Sequence, residues 1–203
     1  MAGPRHHRGF LALAAAVRLG WCDAWDTDLR YRFRPQDEWG PRQWNADRVV
    51  EGLRPTIVVP VLAILVTLTC IRRRSVRPAV LAGVTTLLLG VLIGVSKVVV
   101  GRPDPHGTGD SHGGSFPSGH TATVIVGFGL AVLLLDLPRR WRWLVPAVAG
   151  VAMAWSLLVE AAHWTTDVIG GGLLGVGVLV AVRAAWFLVI PPELASDVHT
   201  GPG

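Results

Sequence analysis

Two histidines with polar neighbours stand out in an otherwise apolar chain of 203 residues. His120 follows Ser118 and Gly119 at the start of an apolar run, and His163 precedes Asp167 by four positions. Side chains four apart share one face of a helix, so the Asp167 carboxylate could accept a hydrogen bond from Nδ1 of His163. That contact leaves Nε2 of His163 as a nucleophile or a base, and with two histidines at separate helix ends, one could attack while the other protonates a leaving oxygen.

Groups that favour an anion surround the same positions. A serine before an apolar run is typical of a helix N-cap, and the free N–H groups at a helix N-terminus bind anions. A glycine at this point lets a ligand approach the backbone closely. Lys97 and Arg102, at the end of the preceding apolar run, add charge-assisted donors. We therefore predict a phosphate site formed by Lys97, Arg102, Ser118 and Gly119.

The elements that position these residues are apolar runs long enough to cross a membrane. A composition of 51% hydrophobic and 16% charged residues excludes a disordered chain and argues against an ordinary soluble domain. No run alternates with a period of two, so helices are the expected spanning element. We predict an all-α integral membrane protein, a six-helix transmembrane bundle in one domain over residues 1–203, with spans at residues 9–25, 56–71, 79–100, 121–137, 143–162 and 168–190.

Arginine placement predicts the orientation of the bundle. Lys97 is the only lysine, and arginines cluster near the N-terminus and in two short connections, at residues 72–77 and 139–142. Short cytoplasmic loops are enriched in basic residues, so these clusters mark the inside and the histidines face outside. The net charge of +5 then reflects topology, and no nucleic-acid partner is expected. Residues 1–25 also match a cleaved secretory signal, an alternative that the charge pattern leaves open.

The two cysteines do not suggest a metal or a disulfide site. Cys22 and Cys70 lie in no spacing typical of zinc or an iron–sulfur cluster, and they fall near opposite faces of the predicted bundle. We expect no metal and no cofactor.

Taken in order, these residues resemble the type 2 phosphatidic acid phosphatase superfamily, membrane lipid phosphate phosphatases related to vanadium haloperoxidases. The segment Pro117-Ser118-Gly119-His120 matches the middle motif completely, and His163 and Asp167 have the spacing of the third. The resemblance implies that His163 attacks phosphorus to form a phosphohistidine, that Asp167 orients it, and that His120 protonates the leaving oxygen. It also implies a fold of six spans with the site on the outer side.

The chain departs from the family pattern at two arginines. Asp104 stands seven residues after Lys97, where the first motif has arginine, and Leu157 stands where the third motif has arginine. We expect Arg102 to take the place of a missing guanidinium, with Glu160 either holding it there or serving as a neutral structural residue. We expect Asp104 to turn toward solvent or to pair with an arginine of the outer loop.

The implied function is hydrolysis of a lipid phosphate or diphosphate at the outer face of the cell membrane, by a metal-independent phosphatase. The expected partners are the bilayer and a phosphorylated lipid: an isoprenoid diphosphate, phosphatidate or phosphatidylglycerol phosphate. The residues do not choose among these substrates. The alternative is a non-catalytic relative that binds lipid phosphates with a degraded site.

Overall fold

The computed structural model describes residues 5–107 and 114–189, and within these ranges all regular structure is helical. A short 3₁₀ helix, Pro35–Asp37, lies between the second and third α-helices. The all-α prediction is confirmed for this part of the chain. The α-helices in chain order are α1 (Arg5–Arg18), α2 (Asp23–Phe33), α3 (Pro41–Leu53), α4 (Pro55–Arg73), α5 (Arg77–Val100), α6 (Gly119–Leu134), α7 (Trp141–Val159) and α8 (Thr165–Val189).

Helix α6 is the centre of the bundle, and most of its side chains are buried. It packs against α4, α7 and α8. Leu130 and Leu133 join one apolar cluster with α4 and α8, while Val124 joins a second cluster with Met153 of α7. The α6–α8 contact is close, because a Cβ at Gly129 would lie 2.3 Å from a methyl group of Leu179. Small residues of this kind let two membrane helices approach closely.

Four helical segments of the described chain are long and apolar enough to cross a membrane. They are Pro41–Arg73, which joins α3 and α4, and Arg77–Val100, Trp141–Val159 and Thr165–Trp186. Helix α6 is apolar but has only 16 residues. The outer faces of α4 and α5 carry exposed apolar side chains such as Ile64, Leu68 and Leu87, as a lipid-facing surface requires. The chain is a multi-pass membrane protein, and the count of six spans stays a prediction.

The apolar run at residues 9–25 does not form one continuous helix. Helix α1 ends at Arg18, and α2 begins at Asp23 after a turn. Gly20 has φ 73°, a left-handed conformation that ends a helix and that glycine adopts without strain. Helix α1 packs against α8 and α5, and the Phe10 ring stacks on Phe116 at 5.8 Å. The last predicted span ends at residue 190, outside the described residues.

Four helix ends meet at one end of the bundle. The chain leaves α5 and α7 there and enters α6 and α8 there, so the C-termini of one pair lie beside the N-termini of the other. The polar residues that the sequence singled out all lie in or next to these four ends. Helix α2 packs over the same end, against α8 and α7.

Candidate active site

The C-terminal end of α5 brings Lys97 to the site. The helix ends at Gly101, whose φ of 63° is left-handed and whose N–H donates to the carbonyl oxygen of Lys97 at 2.8 Å. The Lys97 ammonium donates to the carbonyl oxygen of Gly114 at 2.6 Å. Lys97 lines a cavity of about 610 Å³. The single lysine is therefore held in the cavity wall by the loop that follows α5.

The N-terminus of α6 is capped as the sequence predicts. Ser118 is the N-cap: its Oγ accepts from the N–H of Thr121 at 3.4 Å and from the hydroxyl of Thr121 at 3.2 Å. Ser118 is fully buried, and its own N–H donates to the carbonyl oxygen of Asp167 at 2.9 Å. Its hydroxyl thus holds the helix start and does not line the cavity, whereas Gly119 does line it.

His163 and Asp167 are brought together at the start of α8. Nδ1 of His163 lies 3.4 Å from Oδ2 of Asp167, and the N–H of Trp164 donates to the same oxygen at 3.1 Å. Helix α8 begins at Thr165, so His163 lies in the turn before the helix rather than on its face. Asp167 is fully buried. With Nδ1 protonated, this contact leaves Nε2 of His163 without the proton, as a nucleophile needs.

Both histidines face the same cavity. The ring centroids of His120 and His163 are 6.3 Å apart, in an edge-on arrangement. Gly119, Asp104 and Glu160 line the cavity with them and with Lys97, while Arg102, Ser118 and Asp167 do not line it. The structure therefore gathers six of the nine predicted site residues around one space and places the other three behind its wall.

Arg102 occupies a different place from the predicted one. Its guanidinium donates to Asp26 at 2.8 Å, to the hydroxyl of Thr166 at 2.6 Å and to Oδ1 of Asp167 at 3.2 Å. It also lies 4.9 Å from the centre of the Trp164 ring and is only 8% exposed. Arg102 therefore does not replace the missing guanidinium in the cavity. It instead contacts Oδ1 of Asp167, whose other carboxylate oxygen, Oδ2, faces His163.

Asp26 is a site residue that the sequence did not reveal. It is 1% exposed, and its carboxylate accepts from the N–H of Thr166 at 2.9 Å and from the hydroxyl of Thr166 at 2.5 Å, besides the bond from Arg102. Asp23, one turn earlier on α2, lies 3.3 Å from Arg102. Acidic residues are common in the first turn of a helix, where they interact favourably with the helix dipole. From the sequence alone, Asp23 and Asp26 therefore look like ordinary helix-start residues.

Glu160 follows the last residue of α7 and lines the cavity. It is 8% exposed, and its Oε1 has no hydrogen-bond partner in the described structure. The pKa of Glu160 is raised to about 7, chiefly by burial and also by the nearby carboxylates of Asp47 and Glu51, while Arg34 opposes the shift. Glu160 does not hold Arg102, so that part of the prediction is wrong.

The two positions that depart from the family pattern both face the cavity. Leu157 is 1% exposed and lines it, so an apolar side chain stands beside the histidines. Asp104 also lines the cavity and is partly exposed, so the expectation that it turns toward solvent or pairs with an arginine of the outer loop stays a prediction. One of its carboxylate oxygens accepts from the N–H of His106 at 2.7 Å, which stabilises the turn after α5.

The arrangement suits chemistry on an anion. The N-terminus of α6 and the Lys97 ammonium supply positive potential, and two imidazoles lie within reach of one bound group. In the described part of the chain, no group of three or more His, Cys, Asp and Glu side chains converges as a metal site would require.

Comparison with known proteins gives relatives that are named as phosphatases. The chain is 41% identical over 61 residues to an undecaprenyl-diphosphatase of Sulfolobus acidocaldarius, a match that covers 30% of this chain and 28% of the relative. It is 36% identical over 104 residues to a lipid A 1-phosphatase of Porphyromonas gingivalis, covering 49% of this chain and 21% of the relative. The matched segments thus span less than a third of these relatives.

A solved structure shares the fold. The crystal structure of a transmembrane PAP2 type phosphatidylglycerolphosphate phosphatase from Bacillus subtilis superposes with a TM-score of 0.74 at 21% identity. The superposition covers 93% of this chain and 97% of that one. The sequence model of the PAP2 superfamily matches residues 78–190, which hold α5 to α8 and both histidines. That match covers more than half of the chain, and the chain belongs to the PAP2 superfamily.

Proposed function

We propose that this protein is a membrane phosphatase that hydrolyses a lipid phosphate through a phosphohistidine intermediate. The observation that carries the proposal is the pairing of His120 and His163 in one cavity, with His163 held by a fully buried Asp167. A nucleophile, an orienting carboxylate and a second imidazole in one site form the set that phosphoryl transfer through a covalent intermediate uses.

In the first step, Nε2 of His163 attacks phosphorus, and the bond between phosphorus and the lipid oxygen breaks. The leaving oxygen takes a proton from His120, so the lipid departs as a neutral alcohol or as a lipid carrying one phosphate fewer. Asp167 accepts the Nδ1 hydrogen bond and stabilises the positive charge that develops on the His163 ring. Arg102 forms an ion pair with Asp167 at 3.2 Å and fixes that carboxylate in place.

In the second step, a water molecule attacks phosphorus and gives a proton to His120, which is now a base. The bond from phosphorus to Nε2 breaks, inorganic phosphate leaves, and both histidines return to their starting states. Lys97 and the N–H groups of the first turn of α6, at Gly119, would stabilise the equatorial phosphate oxygens, where charge spreads in the transition state.

An apolar groove beside the cavity supports a lipid as substrate. The groove lies between α4 and α5, has a volume of about 780 Å³, and shares Gly90 with the cavity of the histidines. Its two threonines, Thr67 and Thr86, donate their hydroxyl protons to carbonyl oxygens of their own helices. The groove therefore offers an apolar surface to a hydrocarbon chain whose phosphate lies near His163.

The arginine positions support a site on the outer face of the membrane. The last turn of α4 and its C-cap hold Arg72, Arg73 and Arg74, just before α5. The connection from α6 to α7 holds Arg139 and Arg140. Both groups of arginines lie at the end of the bundle opposite to the histidines. By the positive-inside rule, that end is cytoplasmic.

The test is phosphate release by the purified protein in detergent, with an isoprenoid diphosphate, a phosphatidate and a phosphatidylglycerol phosphate. We expect His163→Ala to abolish phosphate release. When the wild type is quenched during turnover with radiolabelled substrate, we expect it to carry an acid-labile phosphohistidine. Unchanged release by His163→Ala would refute the nucleophile. No release and no labelled protein with every substrate would support instead a protein that only binds lipid phosphates.

A further inference from the structure

Asp104 and Glu160 both line the cavity, and the mechanism above uses neither carboxyl group. Glu160 lines the same space as His120 and His163, is almost fully buried, and has a carboxyl oxygen without a partner in the described structure. Buried polar atoms are almost always hydrogen-bonded, because an unpaired one loses its interaction with water and gains nothing in return. Glu160 therefore carries a carboxyl group with an unsatisfied oxygen in the wall of the cavity, where a bound ligand can complete its hydrogen bonding.

The cavity is poor in cations for a phosphate site. Among the described residues that line it, Lys97 is the one lysine or arginine side chain. Arg102 is held behind the wall by Asp26 and Asp167, and Leu157, one turn before Glu160 on α7, offers no donor. A phosphate between the two histidines therefore needs further hydrogen-bond donors, and Glu160 is placed to supply one.

The protonation state of Glu160 follows from the groups that face it. Burial, together with the carboxylates of Asp47 and Glu51 on α3, raises its pKa to about 7. The guanidinium of Arg34 opposes them, and it donates to the carbonyl oxygen of Glu160 at 2.8 Å. From the other elements around the cavity the charged and titratable groups are Lys97 of α5, Asp104 of the following loop, His120 of α6 and His163 before α8.

A phosphate selects the neutral form of Glu160. A carboxylate and a phosphate both carry negative charge and only accept hydrogen bonds, so they repel each other, whereas a carboxylic acid donates its O–H. An incoming phosphate raises the pKa of Glu160 above its value in the empty cavity, since a nearby negative charge disfavours the ionised form.

We propose that Glu160 is a phosphate-binding residue that donates a hydrogen bond from its carboxylic acid to the phosphate, so that phosphate binding takes up one proton. The inference rests on the proposed function only in that the phosphate lies between His120 and His163. In the binding step Glu160 gains a proton from solvent and forms one O–H···O bond, and no covalent bond to phosphorus changes.

The experiment is calorimetric titration of inorganic phosphate into the purified protein at about pH 8, in two buffers of different ionisation enthalpy. The difference in heat gives the number of protons taken up. Other groups, including phosphate itself, also exchange protons on binding. The quantity of interest is therefore the number of protons taken up by the wild type minus the number taken up by Glu160→Gln. The amide keeps an N–H donor but has no proton to gain. Glu38→Gln, at an exposed glutamate, is the matched control.

We expect Glu160→Gln to bind phosphate within about threefold of the wild type at pH 6 and to take up close to one proton fewer at pH 8. Wild-type affinity should fall about tenfold more per pH unit above pH 7 than that of the variant. Glu160→Ala should bind about tenfold to a hundredfold more weakly at pH 6, because the donor is lost. Glu38→Gln should behave as the wild type.

Equal proton uptake by the wild type and Glu160→Gln would overturn the proposal. Tighter binding by Glu160→Ala at pH 6 would also overturn it, since it would show repulsion. A variant that binds inorganic phosphate normally but loses a lipid substrate would overturn it in favour of a contact with the lipid alcohol. Proton-coupled phosphate binding without any hydrolysis supports this inference and refutes the proposed function, so the two fail separately.

Discussion

Asp26, Arg102, Thr166 and Asp167 form a buried hydrogen-bond network behind the cavity. Substitution of Asp26 by asparagine tests whether this network affects stability and catalysis. Asp26 lies on α2, outside the segment that the family model matches, and its carboxylate receives three hydrogen bonds from Thr166 and Arg102. Asparagine has nearly the same shape and keeps one oxygen, which can still accept from the N–H of Thr166. Its NH₂ group then faces the guanidinium of Arg102, and these two groups cannot hydrogen-bond because both are donors. The negative charge that paired with Arg102 is also lost.

The expected cost follows from those contacts. A hydrogen bond to a charged group contributes about 1.5 to 3 kcal/mol, and breaking a buried ion pair costs about 3 to 5 kcal/mol. Arg102 keeps Asp167 and the more exposed Asp23 as partners, so the loss is partial. We expect a destabilisation of about 2 to 4 kcal/mol. For a chain of this length that corresponds to a Tm lower by roughly 5 to 15 °C.

The effect on catalysis has a separate cause. When Asp26 no longer neutralises Arg102, the guanidinium interacts more strongly with Asp167, its remaining fully buried carboxylate. Asp167 then stabilises the His163 imidazolium less and shifts away from its present position. Small displacements of a catalytic group cost up to about a hundredfold in rate, so we expect kcat/KM to fall at least tenfold, with kcat carrying most of the change.

The assay combines thermal unfolding in detergent, followed by tryptophan fluorescence, with phosphate release at a temperature where both proteins are folded. The matched control is Asp28→Asn, on the same helix, where an exposed aspartate pairs with Arg32 at 2.8 Å. Such surface pairs contribute about 0 to 1 kcal/mol. If Asp26→Asn unfolds and reacts as Asp28→Asn does, the reasoning is refuted. If it only unfolds earlier, the network supports the fold and not the reaction.

Three further substitutions test the cavity and its frame. Lys97→Met should lower kcat/KM of phosphate release about tenfold to a hundredfold, and an unchanged value would exclude a contact with phosphate. Gly171→Ala should destabilise the protein by about 1 to 3 kcal/mol in thermal unfolding, because its Cβ would lie 2.4 Å from a main-chain oxygen of the α6 cap. Gly172→Ala, with no atom within 4 Å, is its control, and equal Tm values would contradict the argument. Ala161→Gly should cost less stability than Ala152→Gly inside α7, because it relieves the φ of 55° at Ala161 while losing a buried methyl group. A Tm lower for Ala161→Gly than for Ala152→Gly would contradict the strain.

The local part of the site could be predicted from the sequence because each feature depends on neighbours in the chain. The N-cap role of Ser118 and the closeness of His163 to Asp167 follow from spacings of three and four residues. The apolar runs also predicted the longer helices: residues 79–100 lie within α5, Arg77–Val100, and residues 56–71 lie within α4, Pro55–Arg73. In each case the information is in one contiguous segment.

The place of Arg102 could not be predicted in this way. Its strongest partner, Asp26, is 76 residues away in the chain, and Thr166 and Asp167 are 64 and 65 residues away. Whether a guanidinium faces a cavity or a buried carboxylate depends on how α2 packs against α8, and hydropathy and spacing carry no signal for that contact. The split of the first apolar run has a local origin in Gly20, but one glycine inside an apolar run does not by itself end a helix.

The buried ion pairs of Arg102 with Asp26 and Asp167 determine whether Arg102 can replace the two arginines of the family pattern that this chain lacks. A guanidinium between Asp26 and Asp167 is already neutralised, and moving it into the cavity would leave two buried carboxylates unpaired. Arg102 therefore cannot replace the arginines that the family pattern has at positions 104 and 157 without a large loss of stability. The attraction for a phosphate then depends on Lys97 and the N-terminus of α6, both of which are determined by local sequence. In our proposal it also depends on the carboxylic acid of Glu160, which becomes a donor when it takes up a proton on phosphate binding. A site of this kind binds phosphate more weakly as the pH rises, whereas a site built on arginines does not, because guanidinium groups stay charged.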